Sequence, residues 1–254
     1  MGDDLGDGAA SGLPPVLELA WGLRERPTKG PKRGLTLDRI VQAAVTVARA
    51  EGMPAVSMGR VAKELGSSPM SLYRYVSTKD DLLTLMLDTA YGQPDPPPAE
   101  PGGWRAELAH WASGQRIALY ANPWALHIPL SGPPATPNQI VWLEAGLAAL
   151  RDTWLSEQQK LSTILLISGF VRNEALLSTD IMAAAERAGI TADEAMGSYS
   201  TALARLIDPR RFPSVYAALT SGALDDDDGL EGEFGFGLER ILDGIAVLID
   251  TRSH

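Results

Sequence analysis

Apolar side chains in this chain recur every three or four residues and nowhere alternate with period two over a useful length, which points to helices and no sheet. Leu37, Ile40, Val41, Ala44, Val45 and Ala48 form one helical face, with Thr36 as the expected N-cap and Gly52 as the stop. A shorter helix is expected over 57–65, capped by Ser57, with Met58, Val61, Ala62 and Leu65 turned inward. After a turn at Gly66 and Ser67, Ser68 caps a helix over 69–76. Pro69 takes its first position, where a missing N–H costs nothing. Ser77-Thr78-Lys79-Asp80 then opens a fourth helix through Tyr91, with an acid three residues after a hydroxyl.

Prolines 94, 96, 97, 98 and 101 make a stiff extended joint, where the domain boundary is expected. The reading is therefore an all-α protein: a tail over 1–34 carrying a basic arm, a small helical domain over 35–92, and a larger helical domain over 103–254. Within the tail, residues 15–23 form a short apolar patch. In the larger domain Trp104, Leu108 and Trp111 share one face, and Ile140, Leu143, Leu147, Leu150 and Trp154 share another. Ser156 with Gln159 opens a long apolar helix to Thr179 or beyond, and Thr191 with Glu194 opens the next. Leu238, Ile241, Leu242, Ile245, Leu248 and Ile249 make a terminal stripe, with Arg240, Asp243 and Asp250 off it.

Net charge is −10 but unevenly placed: residues 22–91 carry +4, residues 92–254 carry −10, and residues 1–21 carry −4. A basic amino-terminal module on an acidic remainder is the asymmetry expected when one part meets phosphate and the other does not. There is no cysteine, which excludes disulfides, thiolate zinc sites, iron–sulfur clusters and cysteine nucleophiles and fits a reducing cytoplasm. Residues 1–11 are acidic and glycine-rich, unlike a secretory signal, so export is not expected. The uncharged stretch 117–143 is broken by prolines 123, 129, 133, 134 and 137, which argues against a membrane span.

Two short helices joined by a glycine turn make a helix-turn-helix, whose second helix is sized for a DNA major groove. Ser57, Tyr73 and Lys79, at helix starts or on the outer face, suit phosphate oxygens and set register without reading sequence. Ser68, Pro69, Met70, Ser71, Arg74 and Tyr75 occupy the exposed face of the second helix. There Arg74 suits a guanine edge, and Met70 or Tyr75 a thymine methyl. Lys29, Lys32 and Arg33 precede the first helix as the basic arm.

These residues also resemble a known family. Leu35-Thr36-Leu37-Asp38-Arg39-Ile40-Val41, Glu51-Gly52, Ser57-Met58, Val61-Ala62, Leu65-Gly66, Ser71-Leu72-Tyr73-Arg74-Tyr75-Val76 and Lys79-Asp80-Asp81-Leu82-Leu83 look like the DNA-binding domain of the tetracycline-repressor (TetR) family. The segment from Trp124 to Asn138 and the Trp142-Leu143-Glu144 helix are similar to the ligand-binding domain of the branch nearest the tetracycline repressors. The resemblance implies a homodimeric repressor that binds a palindromic double-stranded DNA operator and is released by a small-molecule effector. It also implies phosphate contacts from the positions of Ser57, Tyr73 and Lys79. Across a two-fold axis, the terminal stripe and the helix after Ser156 would make a four-helix dimer interface as in the family; on its own subunit the stripe is ordinary packing.

Trp104, Trp111, Trp124, His127, Trp142, Trp154 and Phe170, with Arg172 and Asn173, either line an apolar pocket with a few polar anchors or are plain core. Only His110, His127 and His254 are available as imidazole ligands, without ligand spacing, so no metal or other cofactor is expected. His127 is the one placement open to a metal-chelated ligand of the kind some relatives bind. The run 225–228 of aspartates lacks the alternation of a calcium loop. No phosphate-binding, nucleophile-elbow or zinc-protease motif occurs, so no catalytic residue is named. An activator, a regulator without effector, or an all-α enzyme are the alternatives.

Overall fold

The structure, a computed structural model, describes residues 12–23, 35–97, 102–130, 132–222 and 229–251. The basic arm at Lys29, Lys32 and Arg33, the aspartates 225–228 and His254 lie outside the described residues. Every regular element among the described residues is helical, as the periodicity requires. By contacts the chain divides into two units, one of Met1–Pro94 with Trp124–Ala145 and one of Asp95–Pro123 with Gly146–His254.

In the first unit α1 (Pro15–Ala20) replaces the expected apolar patch. Pro15 starts it, Val16 and Ala20 pack on the unit's core, and the Trp21 indole N–H donates to the Ala135 carbonyl at 2.8 Å. Next, α2 (Leu37–Glu51) starts where Thr36 Oγ1 accepts from the Arg39 amide at 3.2 Å and stops at Gly52, whose φ of 80° only glycine adopts readily. Ser57 Oγ accepts from the Arg60 amide at 3.2 Å and starts α3 (Met58–Glu64), which ends in the positive-φ turn at Gly66.

The recognition element is shorter than expected. α4 spans Pro69–Leu72, and the chain continues through Val76 in tighter turns, with the Tyr75 amide donating to the Leu72 carbonyl at 2.8 Å. α5 (Lys79–Tyr91) begins in a full capping box between Thr78 and Asp81, one residue later than the pairing anticipated from sequence. Ile40, Ala44, Val56, Val61, Leu72, Val76, Leu82 and Met86 are wholly buried in one cluster, which also takes in Trp124, Ala125 and Ile128.

In the second unit α6 (Gly103–Ala121) and α11 (Gly229–Asp250) both pack on α8 (Glu157–Ala188), which opens with the Ser156–Gln159 capping box. By length and composition α8 is apolar enough to cross a membrane. α7 (Pro137–Ala149) starts in the first unit and ends in the second; it stops short of Trp154, whose indole is exposed. α9 (Ala192–Leu206) opens with the Thr191–Glu194 box, and α10 (Pro213–Thr220) follows; neither contains a buried residue.

Glycine at 146 is a packing requirement. A Cβ there would lie 2.7 Å from Ile164 Cδ1 and 2.8 Å from the Trp111 ring, whereas one on Gly59, exposed on α3, would meet nothing within 4 Å. Gly146→Ala is expected to lose about 1–3 kcal/mol by overpacking, and Gly59→Ala to gain up to about 1 kcal/mol through helix propensity. Opposite shifts in thermal melting check both.

Candidate nucleic-acid interface

The hydrophobic core fixes which side chains of the helix-turn-helix remain outside. Leu72 and Val76 are 0% exposed, so the faces between them turn outward: Met70 is 76% and Tyr73 46% exposed, and Ser68, Pro69 and Arg74 are exposed beside them. Ser57 and Lys79 are exposed at the first residues of α3 and α5. Ser71 and Tyr75 are half-buried; Ser71 Oγ lies 2.9 Å from Ser68 Oγ, and the Tyr75 ring packs against the core.

Lys79 stands in the first turn of α5, where the helix dipole disfavours a cation by roughly 0.3–1 kcal/mol. The adjacent Asp80 and Asp81 offset that locally, and a phosphate would do so directly. Arg60 has a different role. It donates to Glu51 at 2.9 and 2.5 Å and to Glu64 at 2.9 Å, clamping α3 to the end of α2 and leaving that guanidinium committed to protein. Hydrogen bonding from Arg60 holds the Glu51 carboxyl below its ordinary value, and Glu51 in turn raises Arg60.

A second group of polar contacts, not read from the sequence, sits at the far end of α5. Asp88 Oδ1 accepts from the Asn138 amide at 2.9 Å and the Gln139 amide at 3.3 Å, so a side chain from α5 caps the start of α7. Asn138 Nδ2 returns a bond to the Asp88 carbonyl at 3.0 Å, and the Trp142 indole N–H is shared by the Tyr91 and Gly92 carbonyls at 3.2 Å each.

The aromatic residues singled out from the sequence are divided between the two units. Trp124 and Trp142 are buried in the first unit, and His127 is exposed there. In the second unit Trp111 is buried under Gly146, Trp104 is half-buried, Asn173 is exposed, and Phe170 stacks on Phe234 at 5.7 Å. Beside that stack Arg116 lies between the Tyr120 and Phe234 rings and pairs with Glu174 through Nε at 3.0 Å and Nη2 at 3.1 Å. Tyr120 and Ser178 hydroxyls donate to the same Glu174, and burial pushes the Tyr120 phenol up. This network spans positions 58 residues apart and has no local signature. Among the described residues no group of three potential metal ligands forms.

Of the terminal stripe, Leu238, Leu242 and Ile245 are buried within the subunit, Ile241 and Ile249 are half-buried, and Leu248 is exposed. Leu161, Leu165 and Leu166 on α8 and Phe236 and Val247 on α11 are also exposed. A groove of about 430 Å³ runs between these helices, lined by residues including Thr163, Leu166, Ile241, Ile245 and Leu248. On α11, Arg105 reaches Glu239 and Asp243, and it is the first cause of the lowered Asp243 carboxyl, with Arg240 second.

Residues 40–86 match the family described as bacterial regulatory proteins, tetR family, and residues 96–249 match the tetracyclin repressor-like C-terminal domain. The HTH-type transcriptional repressor DrrR1 of Streptomyces coeruleorubidus is 41% identical over 240 residues, 93% of this chain and 87% of that protein. The chain belongs to the TetR family. Among solved structures, the TetR family protein ActR of Streptomyces coelicolor in complex with actinorhodin superposes with a TM-score of 0.71 at 30% identity, covering 86% of this chain and 98% of that one. ActR in complex with (S)-DNPA gives 0.68 at 28% identity, covering 85% and 99%. The protein is thus a helix-turn-helix transcriptional regulator rather than a member of an enzyme family. The TetR match over 40–86 spans α2 to α4 and most of α5 but ends before Asp88, and α1 precedes it. Asp88→Ala is expected to unpair two amides of α7 and cost about 0.5–2 kcal/mol, the range measured for lost helix caps. Faster amide hydrogen exchange at Asn138 and Gln139, with a lowered melting temperature, is the check.

Proposed function

We propose that this TetR-family protein is a cytoplasmic, homodimeric, ligand-responsive repressor that binds a palindromic operator through residues 57–76 and leaves it when a small molecule binds. In this reading residues 35–92 form the DNA-binding domain and residues 103–254 the effector-binding and dimerisation domain. The observation that carries it is the division of the recognition element: Leu72 and Val76 are buried while Met70, Tyr73 and Arg74 are presented to solvent. Ser57, Tyr73 and Lys79 then contact phosphate, and Arg74 takes a base edge, with Ser68, Pro69, Met70 and Ser71 along the groove. Tyr75 supports the element from behind.

Dimerisation follows from how little one element reads. Two elements held about 34–36 Å apart reach successive major grooves on one face of the duplex. The exposed leucines of α8 and, on α11, Phe236, Val247 and Leu248 supply the self-complementary face, while Leu238, Leu242 and Ile245 of the terminal stripe pack within the subunit. A small-molecule effector is supported by ActR, which has been solved with actinorhodin and with (S)-DNPA. An effector changes DNA affinity only if it binds the released conformation more tightly. Helix α5 is the lever, since its start abuts the recognition element and its end carries Asp88 and the carbonyls that hold Trp142.

Gel shifts against the DNA flanking the gene are expected to show salt-sensitive, sequence-selective binding; binding indifferent to sequence would overturn the reading. Arg74→Ala is expected to relax discrimination at one base position by about 1–3 kcal/mol, and Lys79→Ala to weaken all sequences alike and lower the salt slope by about one. Leu165→Glu removes apolar burial from both symmetric copies, about 3 kcal/mol in all, so dimerisation is expected to weaken roughly 100-fold by sedimentation equilibrium.

A further inference from the structure

Helix α1 has six residues, too few to be stable alone, yet both of its ends are specified by the sequence. Pro15 starts it. Gly22 ends it at a φ of 65°, with the Gly22 amide donating to the Leu19 carbonyl at 3.1 Å and the Leu23 amide to the Glu18 carbonyl at 2.8 Å. What holds the helix in place is tertiary. α1 packs along α5, with Val16 and Ala20 on the core cluster, and Trp21, although 46% exposed, donates its indole N–H to the Ala135 carbonyl. Ala135 extends the connection: its amide donates to Gln139 Oε1 at 3.2 Å, and the Gln139 amide donates to Asp88 Oδ1 at 3.3 Å. The contacts therefore close a ring, from α5 through α1, Ala135 and the first turn of α7 back to α5.

We propose that α1 is a strap that sets operator affinity from outside the DNA-reading face, by holding α5 against the start of α7. The inference goes beyond the repressor reading but rests on its assignment of α5 as the lever. α5 begins at Lys79, next to the recognition element, and the ring closes further along it at Asp88. The recognition element holds a base edge only while α5 is still. Motion left in α5 before binding must be lost on binding, which weakens affinity. The ring removes that motion in advance. Trp21 and Gly22 carry no charge and lie outside the helix-turn-helix, so they act through α5 and add no phosphate contact. Affinity then depends on α1, while its salt dependence does not.

The test uses the full chain with two variants that leave net charge unchanged. Trp21→Phe keeps a ring and removes the donor. Gly22→Ala strains the left-handed turn that ends α1, where the added Cβ meets nothing within 4 Å. Gly189→Ala makes the same change at the end of α8, where a Cβ is equally free, and controls for lost stability alone. Binding to the DNA flanking the gene is measured over a salt series, together with amide hydrogen exchange at Asn138, Gln139 and the last turn of α5. Both α1 variants are expected to bind operator roughly threefold to tenfold more weakly, the size of one lost hydrogen bond, at an unchanged salt slope and with faster exchange at those amides. Gly189→Ala is expected to bind as the parent protein does. Operator affinity within twofold of the parent in both α1 variants, or an equal loss in Gly189→Ala, would overturn the proposal. So would exchange at the parent's rate, or a salt slope lowered by one or more, which would make this segment a direct phosphate contact. Failure of the repressor reading looks different: the parent protein itself then shows no sequence-selective binding, which overturns both, whereas failure of the strap alone leaves that binding intact in parent and variants alike.

Discussion

One apolar cluster carries the helix-turn-helix, and the rest of the first unit is arranged around it. Leu72 and Val76 enter it from the recognition element, Ile40, Ala44 and Val47 from α2, Val61 from α3, and Leu82 and Met86 from α5. α4 is a single helical turn and has no stability of its own, since nucleating a helix costs more than four residues return. Its orientation is therefore set by where Leu72 and Val76 are gripped. Fully burying side chains of this size is worth about 1.5–3 kcal/mol each, more than any single polar contact on the outer face. Residues that read DNA can then be chosen for chemistry rather than for folding.

Polar contacts orient what the cluster holds. Arg60 joins α3 to the last residue of α2, the Thr78–Asp81 box fixes where α5 begins, and Asp88 fixes where α7 begins. Each acts at a helix terminus or between two helices, where a rotation of one turn would break it. None is deeply buried, so each contributes modestly, about 0.5–2 kcal/mol for a helix cap and about 1 kcal/mol or less for a half-exposed ion pair. Their effect is on geometry: they select one register among several that the apolar faces alone would accept.

What could be read from the sequence was the part encoded locally. Thr36, Ser57, Ser156 and Thr191 cap helices as their spacing indicates, and α5 occupies the residues expected of it, because caps and periodicity act within four residues. The outward turn of Tyr73 and Arg74 was legible for the same reason. Other local expectations failed: α4 tightens after Leu72, which turns Tyr75 against the core and leaves Ser71 half-buried, the α5 box forms at Thr78 with Asp81 one residue later than expected, and α7 ends before Trp154. What was not legible is contact between distant positions. Asp88 meets Asn138 across 50 residues, Arg116 meets Glu174 across 58, and Trp21 meets Ala135 across 114. Aromatic content alone left open whether the tryptophans line a pocket or are plain core. A tryptophan only needs an apolar environment and an acceptor, and two separate units each provide one, so composition could not tell which side chains share a site.

The partly buried Arg116–Glu174 pair shows how the second unit keeps a fixed core while leaving an apolar face outside. Paired charges inside a protein rarely add much net stability, since desolvation offsets their attraction, but breaking the pair is costly. Glu174 is satisfied from four directions, by two guanidinium nitrogens and two hydroxyls, and Arg116 is covered by two rings. Sliding α6 along α8 by one turn would strand all of these groups, so the register of the two helices is fixed from within. The outer leucines of α8 are consequently not needed to hold the subunit together. Leu161, Leu165 and Leu166 stay exposed on a helix whose opposite face is already fully engaged, a distribution that suits a second copy better than it suits solvent.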